Sequence, residues 1–173
     1  MPSRIVMRDL LRYVASTLLL IGAGCHSGDP IGNSGVTFSS SVAIKSYVKL
    51  VVGLNGSKES RFYFPILEIY DRAGNLIYAS HDLKRNTEVL DGLPEAIAGL
   101  KPIAATASLA KIVDEIPDLE AHRKEIVDTN RLTILSVDLE DCHACSVQER
   151  TLNETERKIL RTGSNLITVK VTK

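Results

Sequence analysis

The sequence Cys-His-Ala-Cys, residues 142–145, constrains the fold most strongly because of the segments on either side of it. Residues 132–139 are largely apolar and rich in β-branched side chains, a pattern that predicts a buried strand. Residues 146–161 have apolar side chains at near-helical spacing, and residues 165–171 predict a second strand. Two cysteines three positions apart, placed where a strand turns into a helix, are typical of thiol–disulfide chemistry.

The first 24 residues predict a cleaved export signal that is not part of the fold. Arginines at positions 4, 8 and 12 precede an apolar run, residues 14–21, which is too short to span a bilayer. Small residues then stand directly before Cys25, an order that resembles the lipobox of bacterial lipoproteins, although Gly22 replaces the leucine that this family prefers. The resemblance implies that Cys25 is lipidated and becomes the mature N-terminus. An ordinary signal peptide followed by an incidental cysteine is the alternative.

The resemblance to lipoproteins also implies a location. His26 follows the anchor cysteine, whereas an aspartate at this position marks lipoproteins retained at the inner membrane. We therefore expect an outer-membrane anchor facing the periplasm if two membranes are present, and an outward-facing anchor if there is one. Residues 25–40 are rich in Gly, Ser, Asp and Asn, which predicts a flexible tether to a domain over residues 41–173.

The cysteine count and the charge narrow the function. Removing the lipidated residue from a total of three cysteines leaves Cys142 and Cys145 as a lone pair. In an oxidising compartment such a pair cycles between dithiol and disulfide. A bridge between such close neighbours restrains little of the unfolded chain, which favours redox chemistry over a structural role. The 21 basic and 21 acidic side chains balance, so nothing indicates binding to nucleic acid.

The predicted domain before the motif contains strands followed by helices. Residues 42–54 are rich in β-branched side chains and predict a strand, and residues 61–70 and 76–80 predict a hairpin. Apolar spacing predicts helices over residues 87–100, 102–116 and 117–127. The domain thus has a hairpin part, a helical part and a strand–CxxC–helix–strand part, over residues 41–82, 83–130 and 131–173.

The start of the last helix predicts how the two sulfurs differ. A helix N-terminus has unpaired N–H groups and a partial positive charge, and both stabilise a thiolate. Asp141 is the expected N-cap, which puts Cys142 in the first turn as the attacking thiol and Cys145 one turn deeper as the resolving thiol. A protonated His143 adds positive charge near both sulfurs, whereas the carboxylates of Glu140 and Asp141 oppose ionisation.

Residues 132–171 resemble the central unit of the thioredoxin family, in which a strand, a CxxC motif, a helix and a strand follow one another. The resemblance implies an α/β (α+β) fold, with a thioredoxin-like central sheet flanked by helices and an N-terminal strand and hairpin segment. Two departures stand out. Asp-Cys-His-Ala-Cys replaces the usual Trp-Cys-Gly-Pro-Cys, and Ser136 stands where thioredoxins have a buried acidic residue.

The chain ends after the second strand of this unit, where a thioredoxin continues with a cis-proline, a hairpin and a closing helix. Residues 64–78 resemble the proline–strand–turn–strand segment and residues 87–100 the closing helix, which implies a permuted order with the proline half first. Since termini of compact domains often lie close together, a permutation is physically allowed. Pro65 would then be the cis-proline that faces the disulfide. A separate β module, in which Pro65 begins an edge strand, is the alternative.

Three functions remain open. The first is thiol–disulfide exchange with protein partners, in which Cys142 attacks, Cys145 resolves and His143 tunes the pair. The second is copper or zinc handling by the cysteines with His143, His81 or His122. The third is a non-enzymatic envelope lipoprotein whose hairpin module binds a partner. The sequence contains no phosphate loop, catalytic triad or cofactor fingerprint, so we expect a protein substrate and no cofactor.

Overall fold

The computed structural model describes residues 34–55, 62–104 and 108–173. This part of the chain forms a five-stranded mixed sheet with helices on both faces, which confirms the predicted α/β class and is consistent with a thioredoxin-like arrangement. The strands are β1 (Thr37–Ala43), β2 (Ile66–Tyr70), β3 (Leu76–Ser80), β4 (Thr133–Leu139) and β5 (Asn165–Thr172). The helices are α1 (Ile44–Asn55), α2 (Leu83–Asp91), α3 (Leu109–Glu115), α4 (Pro117–Glu120), α5 (Arg123–Ile126) and α6 (His143–Arg161), with a 3-10 turn at Glu95–Ile97.

The strand order across the sheet is β1-β5-β4-β2-β3. β4 and β5 are parallel and are joined by α6, and β1 extends this parallel part at the other edge of β5. The hairpin of β2 and β3 lies antiparallel on the opposite side of β4. The carboxyl end of β4, which leads into the CxxC motif, therefore lies beside the amino end of β2.

The position of Pro65 decides between the two arrangements predicted for the hairpin. The Phe64–Pro65 peptide is cis, and Pro65 directly precedes β2. Because β2 lies between β3 and β4 inside one sheet, the alternative of a separate module with an edge strand after Pro65 is wrong. The hairpin precedes the β4–α6–β5 unit in the chain but lies beside β4 in the sheet, as a permuted order requires.

The two faces of the sheet bury separate hydrophobic clusters. One face packs against α1, α3, α4 and α5, and the other packs against α2 and α6. Alternation along β4 directs Leu135 and Val137 to the first cluster and Ile134 to the second. Ser136 and Asp138 share the face of Ile134, so both side chains lie on the side of the sheet that carries α6.

The prediction of a strand over residues 42–54 is wrong. β1 begins at Thr37, inside the predicted tether, and is followed directly by α1. Ile44, Tyr47 and Val51 recur every three or four residues and contact the same hydrophobic cluster. This helical spacing outweighs the β-branched composition on which the prediction relied.

The predictions around the hairpin turn and the motif are confirmed. The carboxylate of Asp71 accepts hydrogen bonds from the backbone N–H groups of Ala73 and Asn75, and Gly74 has a φ of 77°. β3 has its predicted limits, and β4, α6 and β5 begin and end within three residues of theirs. These elements are the ones that place the cysteines.

Four other elements are shorter than predicted. β2 begins only after Pro65, and the helix expected over residues 87–100 is α2, which starts earlier and stops at residue 91. Pro94 has no N–H to donate to a preceding helical turn, so α2 cannot continue through it, and a 3-10 turn follows Pro94. The helices expected over residues 102–116 and 117–127 are the short α3, α4 and α5.

Substitution of Gly35 tests how β1 docks against β5. A Cβ added at Gly35 would lie 1.7 Å from the carbonyl oxygen of Ser164, so the backbone at this junction would have to move. We expect Gly35→Ala to lower the free energy of unfolding by about 1–3 kcal/mol, measured by urea denaturation. Gly53→Ala is the control. Its Cβ would meet no atom within 4 Å, so it should stabilise α1 by about 0.5–1 kcal/mol. Equal stability of Gly35→Ala and the parent would contradict this docking.

Candidate functional site

The two cysteines of the motif form a disulfide at the amino end of α6. The helix starts shortly after β4 ends, so the bridge lies at the carboxyl end of that strand. Cys142 is half-buried, whereas Cys145 retains 3% of its surface. The outer sulfur is therefore that of Cys142 and the inner one that of Cys145, as the helical spacing predicts.

The N-cap of α6 is Cys142 and not Asp141, which corrects the sequence prediction. Asp141 has a left-handed backbone conformation with a φ of 59°, and its carboxylate turns toward Lys173. Sγ of Cys142 instead accepts a hydrogen bond from the N–H of Cys145 at 3.1 Å. A sulfur in the capping position meets the unpaired N–H groups and the positive end of the helix dipole, which favours a thiolate after reduction.

The two carboxylates before the motif are partly balanced by Lys173. Nζ of Lys173 lies 3.1 Å from Oδ2 of Asp141, and the backbone N–H of Lys173 donates to Glu140 at 3.3 Å. The ion pair with Asp141 is exposed, so solvent screens it. Lys173 therefore offsets only a small part of the predicted opposition of these carboxylates to ionisation of Cys142.

A groove of about 680 Å³ lies beside the disulfide, between α6 and the neighbouring strands β1 and β5. Cys142 and Cys145 line it, together with Asp138 of β4. Across one part of the groove, the hydroxyl of Thr37 donates a hydrogen bond to Glu156 of α6 at 2.8 Å. The disulfide is therefore open to solvent along a groove whose lining combines polar and apolar surface.

Asp138 is the functional candidate that the sequence reasoning missed. Burial raises the pKa of Asp138 to about 6, even though a hydrogen bond from Ser136 acts in the opposite direction. Oδ1 of Asp138 is buried and accepts no hydrogen bond from any described residue. A carboxyl group whose pKa is raised to about 6 in the wall of this groove can give or take the proton that disulfide exchange requires.

Strand periodicity is the signal that identifies Asp138. The resemblance to thioredoxins directed attention to Ser136, which is fully buried and donates to Oδ2 of Asp138 at 3.1 Å. Side chains two residues apart on a strand share a face, so an acidic residue two positions further along reaches the same side of the sheet. The alternation along β4 thus places a carboxylate near the motif without an acidic residue at position 136.

Pro65 lies at the same end of the sheet as the disulfide. Ile66, the first residue of β2, pairs with Val137 near the carboxyl end of β4. The carbonyl oxygen of Ile66 accepts a hydrogen bond from Gln148 of α6 at 3.2 Å. Pro65 is buried on this hairpin side of the motif and does not line the groove. Its predicted role toward the disulfide stays a prediction.

The three histidines considered as ligands lie apart from the groove. His143 is exposed at the start of α6, and the ring of His81 stacks on that of Tyr63 with centroids 5.0 Å apart. Nδ1 of His122 lies 3.2 Å from a carboxylate oxygen of Glu125. In the described part of the chain, no three His, Cys, Asp or Glu side chains are grouped to hold a metal ion.

Replacing Asp138 with asparagine tests its raised pKa through stability. The folded-state pKa of about 6 exceeds the ordinary value of 3.8, so the folded protein binds more protons than the unfolded chain between these values. The stability that this proton confers is present below about pH 4 and is lost as the pH rises through about 6. We expect Asp138→Asn to remove that loss, so that at pH 7 its free energy of unfolding is about 1–2 kcal/mol higher than that of the parent. The measurement is urea unfolding of the oxidised proteins from pH 4 to 7.

The difference between variant and parent is the informative quantity, because burial also raises the pKa of Glu68, which is present in both proteins. Asp91→Asn, on the exposed surface of α2, is the matched control and should follow the parent. If the free energy of unfolding changed with pH in the same way in the parent and in Asp138→Asn, this result would contradict the raised pKa of Asp138.

The structure does not test the predicted membrane attachment. Cys25 lies outside the described residues, and its lipidation stays a prediction. Within the described ranges, no helix combines the length and the apolar character needed to cross a bilayer.

No protein-family model, curated protein or solved structure matches the chain. The function must therefore be inferred from the disulfide, its helix and its groove.

Proposed function

We propose that this protein exchanges disulfides with protein partners while anchored by a lipid at Cys25 on the extracytoplasmic side of a membrane. The observation that carries the proposal is the disulfide at the start of α6, in which Cys142 is half-buried and Cys145 is buried. Exchange requires that an incoming thiolate reach one sulfur while the other leaves. The asymmetry supports Cys142 as the sulfur that bonds to a partner and Cys145 as the leaving and resolving sulfur.

Reduction of the protein begins when a partner thiolate attacks Sγ of Cys142. The bond between Cys142 and Cys145 breaks, a mixed disulfide forms, and the electron pair remains on Sγ of Cys145 as a thiolate. A second partner thiolate then attacks the partner's own sulfur and releases Cys142 as a thiolate. The partner loses two electrons and gains a disulfide, and the protein gains the two electrons. Oxidation of the protein follows the same steps in reverse.

The two thiolates are stabilised in different ways. Cys142 occupies the N-cap, where the N–H groups and the helix dipole offset its negative charge. Cys145 is buried, so its thiolate is costly and is relieved by a proton. Asp138 lines the same groove, and burial raises its pKa to about 6. It gives this proton when Cys145 leaves and takes it back when Cys145 attacks.

The wall of the groove supports a polypeptide as the partner. β1 forms this wall and has no neighbouring strand on its outer edge in the described sheet. Its side chains toward the groove are hydroxyls, those of Thr37, Ser39 and Ser41. An extended segment next to a partner cysteine can hydrogen-bond to such an edge and its hydroxyls.

A chain with Cys25→Ser has Cys142 and Cys145 as its only cysteines and permits a direct test of exchange. In glutathione buffers we expect the native protein to reach a reversible two-electron equilibrium, measured by acid quenching, alkylation and counting of free thiols. Exchange that occurs only in denaturant would contradict the proposal and leave an envelope protein with an inert bridge. Stoichiometric retention of zinc or copper by the reduced chain, without exchange, would indicate metal handling instead.

Single-cysteine variants in the same test assign the two sulfurs. Cys145→Ser leaves the half-exposed Cys142, and we expect it to accumulate mixed disulfides with partner proteins in cells, visible on non-reducing gels. Cys142→Ser leaves the buried thiol of Cys145 and should trap little. Equal trapping by the two variants would contradict the assignment.

The anchor is tested separately by membrane fractionation. We expect Cys25→Ser to lose the lipid and move from the membrane to the soluble fraction, because the thiol is the attachment point that the lipobox resemblance implies. Cys142→Ser is the matched control and should remain in the membrane. Membrane retention of Cys25→Ser would exclude a lipid at this residue as the anchor.

A further inference from the structure

A chain of buried hydrogen bonds runs from β3 through α2 and α6 to β4. The hydroxyl of Tyr78 donates to Oδ1 of Asn86 at 3.0 Å, and Nδ2 of Asn86 donates to Oε1 of Gln148 at 2.8 Å. Nε2 of Gln148 donates to Oγ of Ser136 at 2.9 Å, and that hydroxyl donates to Oδ2 of Asp138 at 3.1 Å. The three middle residues of the chain are 0% exposed. The chain therefore ends on the carboxylate that lines the groove.

All four hydrogen bonds point toward Asp138. A group that accepts a hydrogen bond becomes a stronger donor on its other side, so bonds aligned in this way reinforce one another. We propose that Ser136 and Gln148 are positioning residues that hold the carboxylate of Asp138 in the groove wall and stabilise its ionised form. The inference rests on the proposed function for the role of Asp138 in proton transfer, although the network itself does not depend on that role.

The network and burial act on Asp138 in opposite directions. Burial disfavours the anion, and the hydrogen bond from Ser136 favours it. Without that donor the carboxyl group would remain protonated to a higher pH, and a smaller fraction of the molecules could accept a proton from Cys145 near neutral pH. The donor therefore keeps Asp138 able to work in both directions near neutral pH.

Gln148 also connects this network to the hairpin. The same Nε2 atom donates to the carbonyl oxygen of Ile66 at 3.2 Å. Ile66 directly follows the cis peptide between Phe64 and Pro65. One amide thus holds both the strand that carries Asp138 and the segment after Pro65 against the first turns of α6.

Other charged groups face the same groove and remain unchanged in the test variants. Glu149 of α6 raises the pKa of Asp138. Lys170 of β5, which pairs with Asp138 in the sheet, lowers that pKa. The remaining charged residues that line the groove are Asp118, Asp141 and Glu156. Differences between variants of the hydrogen-bond chain therefore report on that chain.

The ionisation of Asp138 can be followed by carbon-13 NMR of side-chain carboxyl groups in the oxidised chain bearing Cys25→Ser, with Asp138→Asn to assign the signal. Ser136→Ala removes the final donor and should raise the titration midpoint of Asp138 by about one pH unit. Thr133→Val is the matched control. It removes a buried hydroxyl from the same strand, on the opposite face, that bonds to no described residue, and it should leave the midpoint unchanged.

Variants further along the hydrogen-bond chain test whether its effect on Asp138 declines with distance from the carboxylate. Gln148→Met should raise the midpoint by less than Ser136→Ala, and Tyr78→Phe by about 0.1–0.3 pH unit. A midpoint in Ser136→Ala equal to that in Thr133→Val would overturn the proposal. If Ser136→Ala does not fold, Tyr78→Phe still tests the proposal, because it keeps the aromatic ring. The absence of any rise in the midpoint of Asp138 in this variant would overturn the proposal.

The same samples separate this inference from the proposed function. The pH dependence of the exchange rate with glutathione should move with the midpoint of Asp138 in each variant. A midpoint that shifts as expected in a chain that does not exchange disulfides would refute the proposed function and leave the positioning network established.

Discussion

The rotation of α6 about its own axis decides which sulfur meets solvent, and buried polar contacts fix that rotation. Gln148, three residues after Cys145, places an amide between the helix and the sheet, where its polar atoms need partners. Those partners come from three elements: Asn86 on α2, Ser136 on β4 and the carbonyl of Ile66 on β2. A rotation of α6 would leave these groups unpaired at about 1–3 kcal/mol each. The surrounding elements thus keep Cys145 inward and its bonded partner outward.

The groove exists because the sheet is wider than the layer of helices that covers it on the face of the disulfide. The sheet is five strands wide, but on the face of the disulfide the strand residues of the hydrophobic cluster come from β2, β3, β4 and the first part of β5. β1 and the rest of β5 extend beyond α6, and their side chains on this face are largely polar. The hydroxyls of Ser39 and Thr168, for example, lie 2.9 Å apart. This part of the sheet can face water, which leaves an approach to the disulfide.

The strand–CxxC–helix–strand unit could be predicted from the sequence because its signals are local, whereas other features depend on distant contacts. The helical state of α1 is selected by packing that outweighs the strand preference of its side chains. Asp141, the expected N-cap, instead has a left-handed backbone conformation, and its carboxylate bonds to Lys173, 32 residues away. The network that ends on Asp138 joins Asn86 to Gln148 across 62 residues, and no short pattern in the sequence reveals that contact.

The proposed exchange requires that the disulfide not be needed to hold the fold, because the protein would have to survive its reduction. This bridge joins residues three positions apart, and a loop so short contributes only about 2 kcal/mol through restriction of the unfolded chain. α6 is held by other contacts along its length. Leu152 and Ile159 are buried against the sheet, and Nζ of Lys158 donates to the carbonyl of Asp91 at the end of α2. We therefore expect the helix to stay docked in the dithiol form, with both sulfurs placed to close the bond again.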